Sequence, residues 1–415
     1  MRVLKVTQTY YPFLETGGPP VKVRALARAL GKRGHHVSVV TADLGLTEEK
    51  AKAAGCVRSQ WGWQGSADGL EAVYLRSLVS FRRLTVNPVA KRFFQQAMGE
   101  CDVVHIYGLY DLLGPAAGQA ARVAGVPYVL EPLGMTRPID RSFRRKRLWH
   151  RWYGKKLFEG AAIIIATSEI EQQDLAEAGY GNGKVRLRFN GVDPTEFAAM
   201  PPRGNFRAKW KIENEAPVIL FLSRIIPRKG ADLLIESFAE MNGSGERLVI
   251  AGPEGEPGTV GQLKELARKR GVAERVVFTG PLYEKEKAEA LADADVFALP
   301  SSYENFANAA AEAVACGVPV IVTDRCGIGP LVDGKAGVVI RRNQPELTRA
   351  LRNLIEDDGL RARLRAGCSD VARALAWDKL AEEMERHYSE VMAEQTSEAK
   401  TRTRGDSSAA VGAHA

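Results

Sequence analysis

Cysteine is scarce in this 415-residue chain. Its five cysteines (Cys56, Cys101, Cys316, Cys326, Cys368) are odd in number, widely spread and include no Cys-x-x-Cys pair. That pattern argues against a disulfide framework and a structural zinc site, and makes a reducing cytoplasm the expected compartment. The six histidines are scattered without ligand spacing, and no HExxH run occurs, so no metal site is expected. Also missing are a GxxxxGK[ST] phosphate loop and a GxGxxG fingerprint, which disfavours a P-loop kinase and a simple NAD enzyme. No apolar run approaches the roughly 18 residues that span a bilayer, and the opening MRVLKVTQTY lacks a signal-peptide core. Neither an integral nor an exported protein is expected.

What is present suits a folded protein: 45% hydrophobic and 26% charged residues, with 40 Gly and 20 Pro. At roughly 150 residues per domain the length calls for two or three domains.

The charge is unevenly spread. Of 58 basic and 50 acidic residues, netting +8, nine Lys/Arg fall between Arg137 and Lys156 against one acid, Asp140, so this stretch carries the whole surplus. Interleaved Phe143, Leu148, Trp149, Trp152, Tyr153, Leu157 and Phe158 make it amphipathic. Such a stretch suits an anionic membrane surface, or, as the other candidate partner, nucleic acid. A solvated helix whose aromatics serve the core accounts for it as well.

Short β-branched runs alternate with amphipathic stretches throughout: VLKVTQ, VKVRALARALGKRG and HVSVVTA near the start, then PVILFLSR, ADLLIESFAEM and RLVIAG later. This alternation predicts βα units and two parallel sheets. Between them FNGVDPTEFAAMPPRGNF reads as a linker, placing a first domain at residues 1–190, the linker at 191–206 and a second domain at 207–376. A helix over 377–394 is expected to return to the first domain, and 395–415, almost without large apolar residues, to be disordered. Ligands of open parallel sheets gather beyond the strand carboxyl ends, so function is sought in a cleft lined by those loops.

Four loops carry candidate chemistry. In TGGPP, Gly17 and Gly18 precede a helix expected near Val21, where helix-start amides attract anions. In LFLSRIIPRKGAD, Arg224 and Lys229 suit a diphosphate clamp, or are two solvated charges. In LVIAGPEGEPG, Gly252 and Gly255 leave room for a base. The fourth, PSSYENFANAAAEAVACG, holds Glu304 and Glu312 around an Ala-rich helix. Eight helical steps put these carboxylates near ~12 Å apart and ~80° out of phase, suited to two separated diols rather than one reacting bond. The helix start at Phe306–Asn308 faces a diphosphate in this reading.

These segments, in this order and over nearly the whole chain, resemble the retaining family-four glycosyltransferases. The likeness is carried by YPFLETGG with LARALGKRGHHVSVVT, ATSEIEQQDL, FNGVDPTEF, LSRIIPRKGADLLIESF and PSSYENFANAAAEAVACGVPVIVTD. It implies an α/β chain of GT-B fold, with two Rossmann-like parallel-sheet domains facing a central cleft. It also implies that Glu304 meets the donor sugar hydroxyls, Glu312 the ribose, Arg224 and Lys229 the diphosphate, and Gly17 and Gly18 the glycine loop. Asn305, Phe306, Ala307 and Asn308 complete the donor site where many relatives read Gly-Phe-Gly. In VPYVLEPLGM, Leu133 occupies the place where many relatives carry a His or Arg, so a base there is missing; the resemblance implies a mechanism in which the leaving diphosphate can itself accept the proton, and it leaves open whether Glu131 or His105 helps, His105 reading equally as a structural residue.

The expected activity is metal-independent, retaining transfer of a hexose from a nucleoside-diphosphate sugar to a saccharide or lipid-linked acceptor. It needs no cofactor and belongs to polysaccharide or glycolipid biosynthesis. The expected site of action is the cytoplasm, peripheral to the inner face of the membrane through residues 137–156, without nucleic acid as partner. The alternatives are a nucleotide-sugar epimerase or sugar phosphorylase on the same fold, and a basic nucleic-acid-binding module.

Overall fold

The computed structural model describes all residues except 14–17, 68, 82–83, 138–142, 182, 194–199, 242, 244 and 412–415. The chain divides into two compact units: residues 1–189 with 377–415, and residues 190–376.

In the first unit the strands are β1 Arg2–Val6, β2 His36–Ala42, β3 Cys56–Ser59, β4 Gly62–Ala67, β5 Leu70–Leu75, β6 Val79–Phe81, β7 Leu84–Val86, β8 Val103–Tyr107, β9 Tyr128–Glu131, β10 Ile163–Ala166 and β11 Val185–Leu187. The main sheet has the order β11-β10-β9-β8-β1-β2-β5-β4-β3. Its strands pair in parallel except at one edge, where β4 pairs antiparallel with β5 and β3 antiparallel with β4. This meander departs from the purely parallel sheet expected. Gly62 and Gly65 admit it, because a Cβ would fall 2.3 Å from Tyr74 O in the first case and from Gly55 O in the second.

Strands β8, β9 and β10 are buried along their whole length, as suits parallel strands covered on both faces. One face is covered by helix Gly18–Lys32, whose Val23, Leu26, Ala27 and Leu30 recur at helical spacing. The last helix, Trp377–Val411, joins the same core through Leu380, Met384, Tyr388 and Val391. Its backbone continues through 395–411, where composition predicts a disordered tail. Helix-forming Ala, Glu, Gln, Lys and Arg extend a helix already nucleated by packing.

The second unit has β12 Val218–Leu222, β13 Arg247–Ala251, β14 Val276–Gly280, β15 Val296–Leu299, β16 Val320–Thr323 and β17 Gly337–Ile340, all parallel, in the order β14-β13-β12-β15-β16-β17. The α/β class with two parallel-sheet units is therefore as expected. Helix Asn205–Trp210 begins in the last two residues of the expected linker and continues into the expected second domain. Arg207 fastens it: the guanidinium donates to Ala216 O at 2.7 Å and Asp293 O at 3.0 Å. Among the described residues, no helix is long and apolar enough to cross a membrane.

Candidate functional site

The second unit's sheet turns its winding between β12 and β15. The chain steps outward from β12 to β13 and β14, and from β15 to β16 and β17 on the other side. Loops leaving β12 and β15 therefore diverge, and the crevice between them is where open parallel sheets take ligands. Arg224, Lys229, Glu304 and residues 305–307 all lie in these two connections, and Asn308 opens the helix that follows the second.

The two loops are stitched together. Ser302 N donates to Arg228 O at 2.9 Å, and the Arg228 guanidinium returns to Tyr303 O at 3.0 Å. Gly230, at φ 77°, lies so close that a Cβ would fall 2.3 Å from Pro300 O. Across this seam the Lys229 ammonium forms an ion pair with the Glu304 carboxylate, both side chains nearly buried. Arg224 stands exposed on the same loop. The arrangement offers two cations for phosphate oxygens and a carboxylate for hydroxyls.

Glu304 lies outside the following helix, Asn308–Ala315. Its backbone is fixed by a parallel bridge: Glu304 N donates to Arg325 O at 2.8 Å, and Gly327 N to Glu304 O at 3.0 Å. The helical spacing expected between Glu304 and Glu312 therefore does not apply. Glu312 is half-buried, and Lys287 of helix Glu284–Asp293 meets it at 3.0 Å. Ala307 turns the chain into the helix at φ 74°. Glycine adopts this conformation without strain, whereas an L-residue such as Ala does not. Asn190 Nδ2 donates to Asn308 Oδ1 at 3.0 Å.

Gly252 and Gly255 do not open space for a base. A Cβ on Gly252 would fall 1.7 Å from Ser223 O, and one on Gly255 2.2 Å from the Ile226 side chain. Their bareness lets the loop after β13 lie against the loop after β12.

In the first unit, Gly17 lies outside the described residues. Gly18 opens helix Gly18–Lys32, earlier than the start expected near Val21. One turn in, buried Lys22 pairs with Glu131. Glu131 also accepts from Arg188 Nη2 at 2.7 Å and lies 3.3 Å from His105 Nε2. His105 Nδ1 is 2.6 Å from the Tyr388 hydroxyl, and Lys5 Nζ donates to the Tyr107 hydroxyl at 2.5 Å. All of these side chains are buried.

Burial alone raises the Glu131 carboxyl, but Arg188 and Lys22 outweigh it and hold the group well below its usual range. Burial pushes Lys22 down to about 8 against the pull of Glu131, and His105 down to about 3. Glu131 and His105, the candidate bases, are thus sealed into the interior of the unit. Leu133 offers no titratable group.

Sequence reasoning missed Lys287, Lys22 and Arg188. Periodicity marks none of them, because each is identified only by the carboxylate it meets from a distant element. Asn190 stood in a quoted motif and at the end of the expected first domain, whereas it opens the second unit and meets Asn308 there.

Comparison with known proteins adds to this geometry. A family model described as "Glycosyl transferases group 1" matches residues 202–368, and one described as "Glycosyl transferase 4-like domain" matches residues 17–191. A D-inositol 3-phosphate glycosyltransferase of Xylanimonas cellulosilytica is 30% identical over 385 residues, covering 89% of this chain and 91% of the relative. An uncharacterized glycosyltransferase of Methanocaldococcus jannaschii is 23% identical, covering 94% and 98%. Among solved structures, Anabaena HepE in complex with UDP and glucose superimposes with a TM-score of 0.71 at 19% identity, covering 94% of this chain and 100% of that one. Sucrose-phosphate synthase from Thermosynechococcus elongatus gives 0.71 at 19% identity, covering 94% and 99%.

Proposed function

This chain belongs to the group 1 glycosyl transferases, the family-four enzymes of GT-B fold, and from that membership we propose that it moves a hexose from a nucleoside-diphosphate sugar to an acceptor hydroxyl with retention of anomeric configuration. The observation that carries this reading is the ion pair of Lys229 with Glu304 at the second unit's switch point. It joins a cation suited to diphosphate with a carboxylate suited to sugar hydroxyls. On donor binding each exchanges its partner for a substrate group.

In the proposed step the bond from the sugar's anomeric carbon to the diphosphate oxygen breaks, and the acceptor oxygen bonds to the same face. Negative charge grows on the diphosphate, where Arg224, Lys229 and the amides at the Asn308 helix start stabilise it. Because Leu133 has no proton-accepting group and Glu131 and His105 are buried, the departing diphosphate oxygen takes the acceptor proton. Glu304 orients the hexose and Glu312 the ribose. No metal ion has a role in this step.

UDP-glucose is the first donor to test, since HepE is solved with it. Inositol phosphates are the first acceptors, because the relatives are named for D-inositol 3-phosphate. The same proposal places the enzyme in polysaccharide or glycolipid synthesis, at an anionic membrane reached through its basic stretch.

The test is a thermal-shift screen against UDP-, GDP- and ADP-sugars, followed by NMR of the product anomer with and without EDTA. A retained anomer and EDTA-insensitive turnover are expected. An isomerised donor, or turnover that requires inorganic phosphate, refutes the transfer reading.

A further inference from the structure

The basic stretch divides its aromatic residues between two faces. A helical run passes from Phe143–Trp149 through the π-helical turn His150–Gly154 into Lys155–Gly160. Trp149 and His150 turn inward: Trp149 Nε1 donates to Asp111 O at 3.3 Å, and His150 Nε2 lies 3.0 Å from the Tyr110 hydroxyl. Leu157 and Phe158 are core. Leu148 and Trp152, one turn apart, instead stand outward, 56% and 64% exposed, with Tyr153 41% exposed beside them. Arg145, Arg147, Arg151, Lys155 and Lys156 of the same run are exposed as well. Among the described aromatics, core packing thus accounts for Trp149 and Phe158 and leaves the outward half, Trp152 and Tyr153, unexplained.

The outward half borders a cavity of about 270 Å³. Leu112, Pro115, Ala116 and Leu157 contribute apolar wall, Trp152 and Tyr153 stand at one side, and Arg122 and Lys156 supply two cations with no acid among the lining residues. The nearby Glu159 is engaged by Lys155 at 3.7 Å. Gly118 and Gly160 keep the walls close, since a Cβ would fall 2.9 Å from Leu157 and 2.6 Å from the Tyr128 hydroxyl respectively. On the neighbouring helix, Leu113–Ala124, Val123 is 84% exposed. An apolar-walled hollow with two cations, flanked by an outward indole, matches the order of groups in a phospholipid: phosphate, then interface, then acyl chain.

We infer that this surface docks on an anionic phospholipid bilayer and that the cavity seats the phosphate of one lipid headgroup between Arg122 and Lys156, with Trp152 entering the acyl boundary. The inference rests on the peripheral-membrane reading above and deepens it, assigning attachment to one lipid site rather than to diffuse charge.

The experiment uses the full chain and sedimentation with two vesicle types, phosphatidylglycerol mixed into phosphatidylcholine, and phosphatidylcholine alone. Wild type is expected to partition to the anionic vesicles only. Trp152→Ala is expected to lower partition at least about tenfold. The pair Arg122→Ala with Lys156→Ala is expected to lose about fivefold per cation, more than the off-cavity pair Arg145→Ala with Arg147→Ala. Acyl-brominated lipid should quench wild-type tryptophan emission, and Trp152→Phe should abolish that quenching. An unchanged UDP-sugar thermal shift confirms that each variant is folded.

If wild type does not distinguish the two vesicles, the membrane reading itself falls, and this inference with it. Wild-type binding with equal losses in both cation pairs, or no loss in Trp152→Ala, overturns the cavity alone. Salt-sensitive capture of RNA without vesicle binding overturns both in favour of nucleic acid.

Discussion

Arg188 donates to Glu131 across 2.7 Å with neither side chain exposed to solvent. The same carboxylate is paired with Lys22, one turn into the helix that Gly18 opens. Arg188 stands just before the chain leaves the first unit, and Tyr388, hydrogen-bonded to His105 in this cluster, stands on the helix that returns to it. One buried carboxylate therefore holds helix Gly18–Lys32 and the segment that follows β11.

Removing that carboxylate leaves two cations buried without a counter-charge, which costs about 3–5 kcal/mol. Glu131→Ala is expected to lose that much stability in chemical denaturation, and Glu131→Gln to recover little of it. A loss below about 1 kcal/mol shows that the cluster is not a determinant of the fold.

The same cluster sets an acid limit. The folded protein holds His105 near 3, whereas an unfolded histidine titrates at about 6.5. Below about 6.5 the unfolded chain therefore binds a proton that the folded chain refuses, and stability falls as pH drops toward 3. Glu131 acts in the same direction: its depressed carboxyl stabilises above about 4.5, and that contribution is lost as pH falls further. His105→Gln should flatten the fall in denaturation midpoint between pH 7 and 4.5. An unchanged slope refutes the assignment.

At the proposed donor site, Lys229→Ala and Arg224→Ala are each expected to lower turnover about 10²–10³-fold with the fold intact. Near-wild-type rates in both would remove them from the mechanism. Glu304→Ala should abolish transfer while retaining nucleotide binding, and Glu312→Ala should weaken nucleotide binding; calorimetry giving the reverse exchanges their roles. Lys287→Met, which frees Glu312 from its 3.0 Å partner, should change donor KM more than kcat.

Ala307 sits at φ 74°, where an L-residue is strained by roughly 1–2 kcal/mol and glycine is not. Part of that is offset by glycine's greater freedom in the unfolded chain. Ala307→Gly should raise stability by about 1 kcal/mol in urea denaturation. A destabilised variant would mean that the strain is relieved by local packing.

Much of this protein is determined by local sequence. Runs such as VILFL and IIIA are apolar at every position, so they become strands covered on both faces. VKVRALARALGK repeats its apolar residues at helical spacing and becomes a helix with one buried face. Spacing also placed Arg224, Lys229 and Glu304 in loops after strands, because a βα unit carries its loop wherever the sheet goes. Only the tertiary structure decided which of those loops are neighbours, since the order of β12 and β15 depends on crossovers that no local pattern records. It also decided that Glu131 is sealed beneath Arg188 and Lys22, that Glu312 meets Lys287, and that Trp149 turns inward while Trp152 turns out. A side chain's charge and shape are local properties, but its partner and its exposure depend on what distant segments bring against it.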